Sequence, residues 1–376
     1  MNVELIPVDS GKSLKEFIYL PAKVHLFHKN WVPPIYSDEW KFYDVKHNKS
    51  LAECDTIRLM AVRNGKAVGR IMGIINKSYN EKHGERTARF FNFECFEDRE
   101  ASHLLLSAIE KWAGEKGMNK VIGPFGFSDK DPQGLQTEGF SHLPVIATAT
   151  NLPYLQELVE SEGYRKEVDC VVYRLPVPEK IPEIYQRIYE RLVRNDKLKL
   201  VEFSSRRALK PYIVPVLRLV NETYQSIFGF TPMDEDEMYQ LAGKYLPLLD
   251  PAFTKLVTDR ENNPVAFVIA SPDISEGIIK ARGKIFPFGF IHILSSAKKS
   301  KQLDLFLGAV KPKYQGSGIT ALLGVSLFRS AMQRRLAYID SHLILETNRQ
   351  MRDVMERLGA VIYKRYRVYG KNIKQT

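Results

Sequence analysis

Ala309-Val310-Lys311-Pro312-Lys313-Tyr314-Gln315-Gly316-Ser317-Gly318-Ile319-Thr320 runs from an apolar strand through a short loop straight into a helix. Ile319, Leu322, Leu323 and Leu327 mark one side of that helix at three- and four-residue spacing. A helix start offers unpaired N–H groups and the positive end of the macrodipole. Gly316 and Gly318 bring no side chains, so the backbone can approach a bulky anion and adopt unusual dihedrals. Such a turn can cradle a pyrophosphate. Ser317 and Thr320 add hydroxyl donors, and Lys311 and Lys313 make the local potential more positive. Many plain structural turns also carry two glycines, so the surroundings decide.

Downstream, the sequence predicts a strand at Ser341–Glu346, a short helix opened by Asn348 and ended at Gly359, and a last strand at Ile362–Tyr369. Upstream lie a strand at Lys199–Phe203 and helices near Ala208–Ile227 and Asp234–Tyr245. A hairpin of Phe253–Thr258 and Val265–Ala270 follows, then a less regular stretch from Ser275 to Lys301 and a strand at Leu303–Val310. Phe286, Phe288 and Phe290 alternate around Pro287 and Gly289; simple packing is the first reading, a strand edge or acyl-pocket wall the second.

The first half has a similar plan. Ile57–Val62, the Asn64-Gly65 turn and Lys66–Ile75 read as a hairpin, and Arg89–Phe96 as another strand. Ala101, Leu104, Leu105, Ala108, Ile109 and Trp112 line one face of a helix. A buried strand at Lys120–Ile122 leads into a long polar loop reaching about Pro144. A strand at Val145–Thr150, a helix opened by Asn151 with Pro153 in its first turn, and a strand at Val168–Leu175 complete it. Pro176, Pro178 and Pro182 mark a linker, and Ile184, Tyr185, Ile188 and Leu192 a bridging amphipathic helix. Two tandem α/β domains follow: residues 1–176, a linker with bridging helix at 177–198, and residues 199–376. Internal duplication is the economical reading; two unrelated domains sharing a coarse plan is the other.

Gln315–Thr320 resembles the acyl-CoA signature of the GNAT superfamily, Gln/Arg-x-x-Gly-x-Gly/Ala, with Thr320 in the place of the last Gly or Ala. Nearly the whole chain resembles a tandem-GNAT architecture of mixed α/β (α+β) sheets. In particular it resembles a bacterial two-domain group with a Gly-Pro…Gly-Leu…Glu-Gly-Phe loop, here Gly123-Pro124…Gly134-Leu135…Glu138-Gly139-Phe140. The resemblance implies an N-acyltransferase that moves an acyl group from acetyl-CoA or a longer acyl-CoA to a primary amine, or one that uses an acyl carrier protein as donor. Gln315, Gly316, Ser317, Gly318, Ile319 and Thr320 would then hold the CoA. A backbone N–H near Val310 would polarise the thioester carbonyl.

The amine needs a base. Glu346, at the end of the strand beside this site, is the first candidate, with a solvent-facing strand-end charge as the competing reading. Asn348 caps the following helix, a role that outweighs contact with CoA. The family's frequent Tyr acid falls on Met355, which cannot donate a proton. Tyr363 or Tyr366 could substitute, against the commoner role of strand aromatics in packing. Asp131, Gln133 and Glu138 are the candidate acceptor contacts on the long loop, which also reads as an ordered surface loop. The first half's corresponding helix start, Phe96-Glu97-Asp98-Arg99-Glu100-Ala101, has no glycine and three carboxylates, so it is predicted not to bind CoA. The rival class is a non-catalytic CoA-binding or protein-interaction module.

The totals agree with a soluble globular pair of domains. The chain has 376 residues, 44% hydrophobic and 26% charged, with a formal charge of +11. No apolar run reaches the roughly 18 residues that span a bilayer, and the start lacks an apolar signal core, so a cytoplasmic protein is expected. Cys54, Cys95 and Cys170 read as buried free thiols. Histidine spacing suggests no metal site. Lys and Arg are scattered, so a solvated basic surface, then a phosphate-rich ligand or acidic carrier protein, rank ahead of nucleic acid. The sequence leaves the oligomeric state open.

Overall fold

The structure is a computed structural model that describes residues 2–145, 147–194, 197–247 and 249–374. The first half runs β1 (Glu4–Pro7), α1 (Gly11–Val24), α2 (Tyr36–Phe42), α3 (Ser50–Glu53), β2 (Asp55–Arg63), β3 (Lys66–Ile75) and α4 (Lys77–His83). It continues through β4 (Thr87–Cys95), α5 (Arg99–Glu115), β5 (Lys120–Gly123), β6 (Leu135–Glu138), α6 (Tyr154–Ser161) and β7 (Arg165–Pro176). The bridging helix is α7 (Glu183–Val193).

The second half begins with β8 (Lys199–Glu202), α8 (Arg206–Leu209), α9 (Ile213–Thr223), α10 (Glu235–Tyr245), β9 (Thr254–Thr258) and β10 (Pro264–Pro272). A helical hairpin, α11 (Ser275–Ala281) and α12 (Gly289–Lys299), precedes β11 (Gln302–Val310) and α13 (Ile319–Gln333). The chain closes with β12 (Tyr338–Asp340), β13 (Ile344–Leu345), α14 (Arg349–Arg357) and β14 (Val361–Asn372).

One mixed sheet passes through both halves in the order β1-β2-β3-β4-β5-β14-β7-β12-β11-β10-β9-β8, with β6 added beside β14 and β13 beside β7. The last strand of each half therefore lies in the other half's territory. β14 pairs with β5 from Tyr369↔Gly123 to Asn372↔Lys120, β7 pairs with β12 at Tyr338↔Pro176 to Asp340↔Arg174, and β14 and β7 pair with each other. Helices cover both faces. α5 buries Leu105 and Ile109 fully against β2, β3 and β4, and α1 buries Phe17, Ile18 and Leu20 on the opposite face. Each such side chain contributes about 1.5–3 kcal/mol of transfer free energy. α13 and α14 pack Leu327, Phe328 and Met355 against β7 and β12.

Several local expectations change. Residues 147–150 form no strand; the place beside β14 is taken by β6 from the long loop, and Ile146 lies outside the described residues. Asn151 does not open a helix. Its side chain accepts from Gln136 N at 2.7 Å and donates to Gln136 O at 3.2 Å, tying β6 to the entry of α6. Of the strand expected at Ser341–Glu346 only β13 (Ile344–Leu345) forms; β12 ends just before it, where Ser341 turns onto Tyr173. The stretch 275–301 is helical, and Phe286 and Phe288 are 81% and 68% exposed rather than packed.

Candidate active site

Strands β11 and β12 are parallel neighbours for only three residue pairs, Gln302↔Tyr338, Leu303↔Ile339 and Asp304↔Asp340. Then they part. β11 continues to Val310, while Ser341 donates its N–H to Tyr173 O at 2.8 Å and accepts from Tyr173 N at 2.9 Å. A wedge opens between them, closed at Asp304 and Asp340 and widening toward the Gly316 loop. Within the wedge, opposite β10, the register shifts between Ile269 and Ala270, which leaves Phe306 as an extra residue on β11. Such a bulge re-aims backbone groups and side chains.

At the open end, Gly318 is the N-cap of α13 at φ 93°, and among the described residues no side chain caps the helix. The first N–H groups of a helix lack intrahelical acceptors, and no described side chain takes these. The two glycines have different tasks. A Cβ at Gly316 (φ 75°) would meet nothing within 4 Å, whereas one at Gly318 would lie 2.9 Å from Ile188 Cγ2 and 3.4 Å from Leu192 Cδ1 of α7. Gly318 thus lets α7 pack on α13, and Gly316 borders open space. Gln315 donates to Val310 O at 3.2 Å and accepts from Gln350 at 3.1 Å, fixing the loop to the end of β11. Ser317 Oγ donates to Tyr314 O at 2.5 Å; Ile319 is buried and Thr320 exposed. A cleft of about 450 Å³ adjoins the loop, lined by Arg191, Leu192, Lys197, Leu198, Tyr314 and Ser317.

The closed end is a buried ionic cluster. Asp340, fully buried, accepts from Arg174 Nε and Nη2 at 2.9 and 2.8 Å and from the Tyr363 hydroxyl. The Arg174 guanidinium lies between the rings of Tyr338 and Tyr363, 4.0 and 4.2 Å from their centroids. Asp304 accepts from Gln302 Nε2 at 2.6 Å, and Asp273, at the end of β10, accepts from Ser275 Oγ at 2.5 Å. In β14 the register shifts between Ile362 and Lys364, so Tyr363 is an extra residue opposite β7. That bulge brings both Tyr363 and Lys364 to the cluster; the fully buried Lys364 donates to Leu143 O and sits 5.0 Å from the Tyr363 ring centroid.

Burial governs the titration here. It raises the Asp273 carboxyl, against the Ser275 hydrogen bonds and with help from the neighbouring Asp340 charge. It pushes Lys364 down to about 8, outweighing the attraction of Asp340 and Asp304. Tyr363 is raised by burial and by Asp340, so it stays a neutral donor.

The remaining residues singled out in the sequence lie elsewhere. Glu346 accepts from Lys166 Nζ at 2.7 Å and from Asp169 N at 3.4 Å. Asp169 precedes Arg174 by five residues on β7, roughly 17 Å at about 3.3 Å per residue. Asn348 accepts from Met351 N at 3.1 Å as the cap of α14. Tyr366 is buried beside Cys170 and Val172, with burial pushing its hydroxyl up to about 12. Asp131 accepts from Phe127 N at 2.7 Å and holds its own loop, Gln133 is buried in the first half, and Glu138 pairs with Arg365 at 3.0 Å on the surface. Asp273, Asp304, Asp340, Arg174 and Lys364 escaped sequence reasoning. The signal available was a charged residue inside an apolar run, as in Leu303-Asp304-Leu305 and Tyr338-Ile339-Asp340.

No protein-family model matches the chain. It is similar to Protein YghO of Escherichia coli (strain K12), 29% identical over 367 residues that cover 96% of this chain and 93% of that one. It is also similar to the bacterial ceramide synthase of Caulobacter vibrioides (strain NA1000 / CB15N), 28% identical over 378 residues, 98% of this chain and 97% of that one. Among solved structures it is similar to the tandem GNAT protein from the clavulanic acid biosynthesis pathway, with TM-score 0.57, 11% identity and 100% of both chains covered. With two halves joined in one mixed sheet and this likeness over its whole length, the chain is a protein of the tandem GNAT fold.

Proposed function

We propose that this protein is an acyl-CoA-dependent N-acyltransferase whose acceptor is a long-chain amino alcohol, with one working site, in the second half. The observation that supports this best is the polarity of the wedge. Its open end presents a helix start that no described side chain caps, beside Arg191 and Lys197, suited to a pyrophosphate. Its closed end gathers Asp273, Asp304 and Asp340, suited to an ammonium group. The acceptor class comes from the relative named a ceramide synthase, since a ceramide is an N-acylated long-chain amino alcohol.

In this reading the pyrophosphate rests on Gly316–Thr320, and the acyl arm lies along the edge of β11 that faces away from β10. Backbone N–H groups at the Phe306 bulge, rather than at Val310, polarise the thioester carbonyl. Asp273, its carboxyl raised by burial, takes the proton from the acceptor ammonium. The freed amine attacks the thioester carbon, the C–S bond breaks, and the CoA thiolate leaves and is protonated. Arg174 and Tyr363 hold Asp340 in place, so they position the cluster; Glu346 and Tyr366 take no part in the step.

The test is titration with acetyl-CoA and with a long-chain acyl-CoA, following melting temperature and binding heat, and then addition of a long-chain amino alcohol. A CoA ester that binds the folded state raises the melting temperature. Stabilisation followed by amide formation and one free thiol per amide is expected. Stabilisation without amide across a panel of amines would replace this reading with a non-catalytic CoA-binding module; no response to either ester would remove both.

A further inference from the structure

The α11–α12 hairpin presents apolar side chains to water, with no partner among the described residues. Phe286 and Phe288 are 81% and 68% exposed, and Ile291 and Leu294 on α12 are 52% and 53% exposed. Its inner face is firmly held. Gly277 allows α11 and α12 to touch, a Cβ there falling 2.6 Å from Ile293 Cα, and Ile274, Ile278 and Ile293 pack on Val32 of the first half. A second exposed apolar pair, Leu26 at 69% and Phe27 at 95%, sits just before Val32, in the segment that docks on this hairpin. The hairpin is therefore a rigid platform whose outer side is aromatic and aliphatic.

Charge identifies what this platform meets. Between Ser275 and Lys301 the sequence has six basic residues and a single acid, Glu276. Arg282, Lys284, Lys298 and Lys299 are exposed, and Lys23 and Lys29 flank Leu26 and Phe27 with no acid between them. Exposed Phe, Ile and Leu ringed by Lys and Arg suit the boundary between anionic headgroups and acyl chains. A second copy of the same patch would bring like charges together. The hairpin also starts at Ser275, which donates to Asp273, so its root lies at the closed end of the wedge.

We propose that the α11–α12 hairpin, with Leu26 and Phe27, seats the protein on an anionic lipid bilayer. A lipophilic acceptor then passes from the membrane to the Asp273 end of the wedge, while the acyl donor enters from the opposite, Gly316 end. This last step rests on the proposed reaction; the docking does not.

The experiment is co-sedimentation of the full chain with vesicles of phosphatidylcholine mixed equally with phosphatidylglycerol, and with phosphatidylcholine alone. Wild type is expected on the mixed vesicles, weakened by high salt. The F286S/F288S variant should bind them about tenfold less well or worse, since two large apolar contacts are lost. Both side chains are exposed, and an unchanged melting temperature checks that the variant folds. The pair K298E/K299E gives a second reading that should weaken mixed-vesicle binding alone. Absence of wild-type binding, equal binding by F286S/F288S, or a dimer that F286S/F288S dissolves would overturn the proposal. Melting-temperature response to a long-chain acyl-CoA on the same samples separates the two ideas. Vesicle binding without that response defeats the reaction but not the docking, and the converse defeats the docking alone.

Discussion

The two halves build the same wedge and then treat it in opposite ways. In the first half β4 and β5 pair in parallel from Thr87↔Lys120 to Arg89↔Ile122 before separating, and β4 carries a bulge opposite Arg70–Met72 with Asn92 at φ 48°. Where the second half has Asp304, the first has Arg89, buried, donating to Gly126 O and Phe127 O at 2.9 and 2.8 Å. The chain after β5 thereby folds back over the gap, leaving a cavity of only about 70 Å³ among Phe91, Phe93, Pro124 and Leu135. The helix start is closed as well: Asp98 accepts from Ala101 N at 3.1 Å and pairs with Arg63 at 2.9 Å. One wedge is plugged by an arginine and capped by a carboxylate; the other gathers three aspartates with Arg174 and Lys364 at its closed end, and no described side chain caps its helix start. The same fold thus gives two differently furnished gaps according to a few residues at their two ends.

The largest effect that would break this contrast is at Asp273. D273N is expected to lower turnover by about a thousandfold, within the range for loss of a general base, with acyl-CoA affinity unchanged. Turnover retained within tenfold would move the base elsewhere. In the plugged wedge the matching change costs stability only. R89M removes the guanidinium from two buried carbonyls and should cost about 2–4 kcal/mol in urea unfolding, with turnover per folded molecule intact. Loss of turnover in a folded R89M protein would show that the first half does more than support.

Next comes a transplant of the acidic start. S317D sets a carboxylate beside the uncapped N-terminus of α13, as Asp98 does at α5, and should weaken acyl-CoA binding by roughly 30-fold, about 2 kcal/mol, by calorimetry. Unchanged affinity would show that the anion sits elsewhere. The smallest effect concerns Lys364. Its folded pKa, lowered to about 8 against 10.5, means that the native state sheds a proton before the unfolded state does. Stability should therefore rise with pH from about 8 toward 10.5, and K364M should lack that rise while sharing all other titrations. About 1.5 kcal/mol of difference is expected between pH 8 and 9.5 in parallel urea melts.

Much of this was legible in local sequence. The Asn64-Gly65 turn, the periodic face of α5, the Asn348 cap and the Gln315–Thr320 loop are each decided by neighbours in the chain. What stayed hidden is decided between segments far apart. Nothing in Val361–Asn372 says that its partner is β5 rather than β12, because either neighbour accepts the same alternating strand. The ionic cluster is spread from Arg174 to Lys364, and no spacing rule links single charges on five separate segments. Phe286 and Phe288 looked like core residues because composition cannot tell a packed aromatic from one turned to the surface.

The crossed final strands have a consequence for how the pair behaves as an object. Because β7 walls the second wedge and β14 completes the sheet beside β5, neither half owns all of its own architecture. Cutting the Pro176–Pro182 connection would leave two interlocked pieces rather than two proteins, and deleting the first half would strip the second of a wall. Two halves joined this way cannot be separated by one cut, so either can change its side chains only while its backbone is kept.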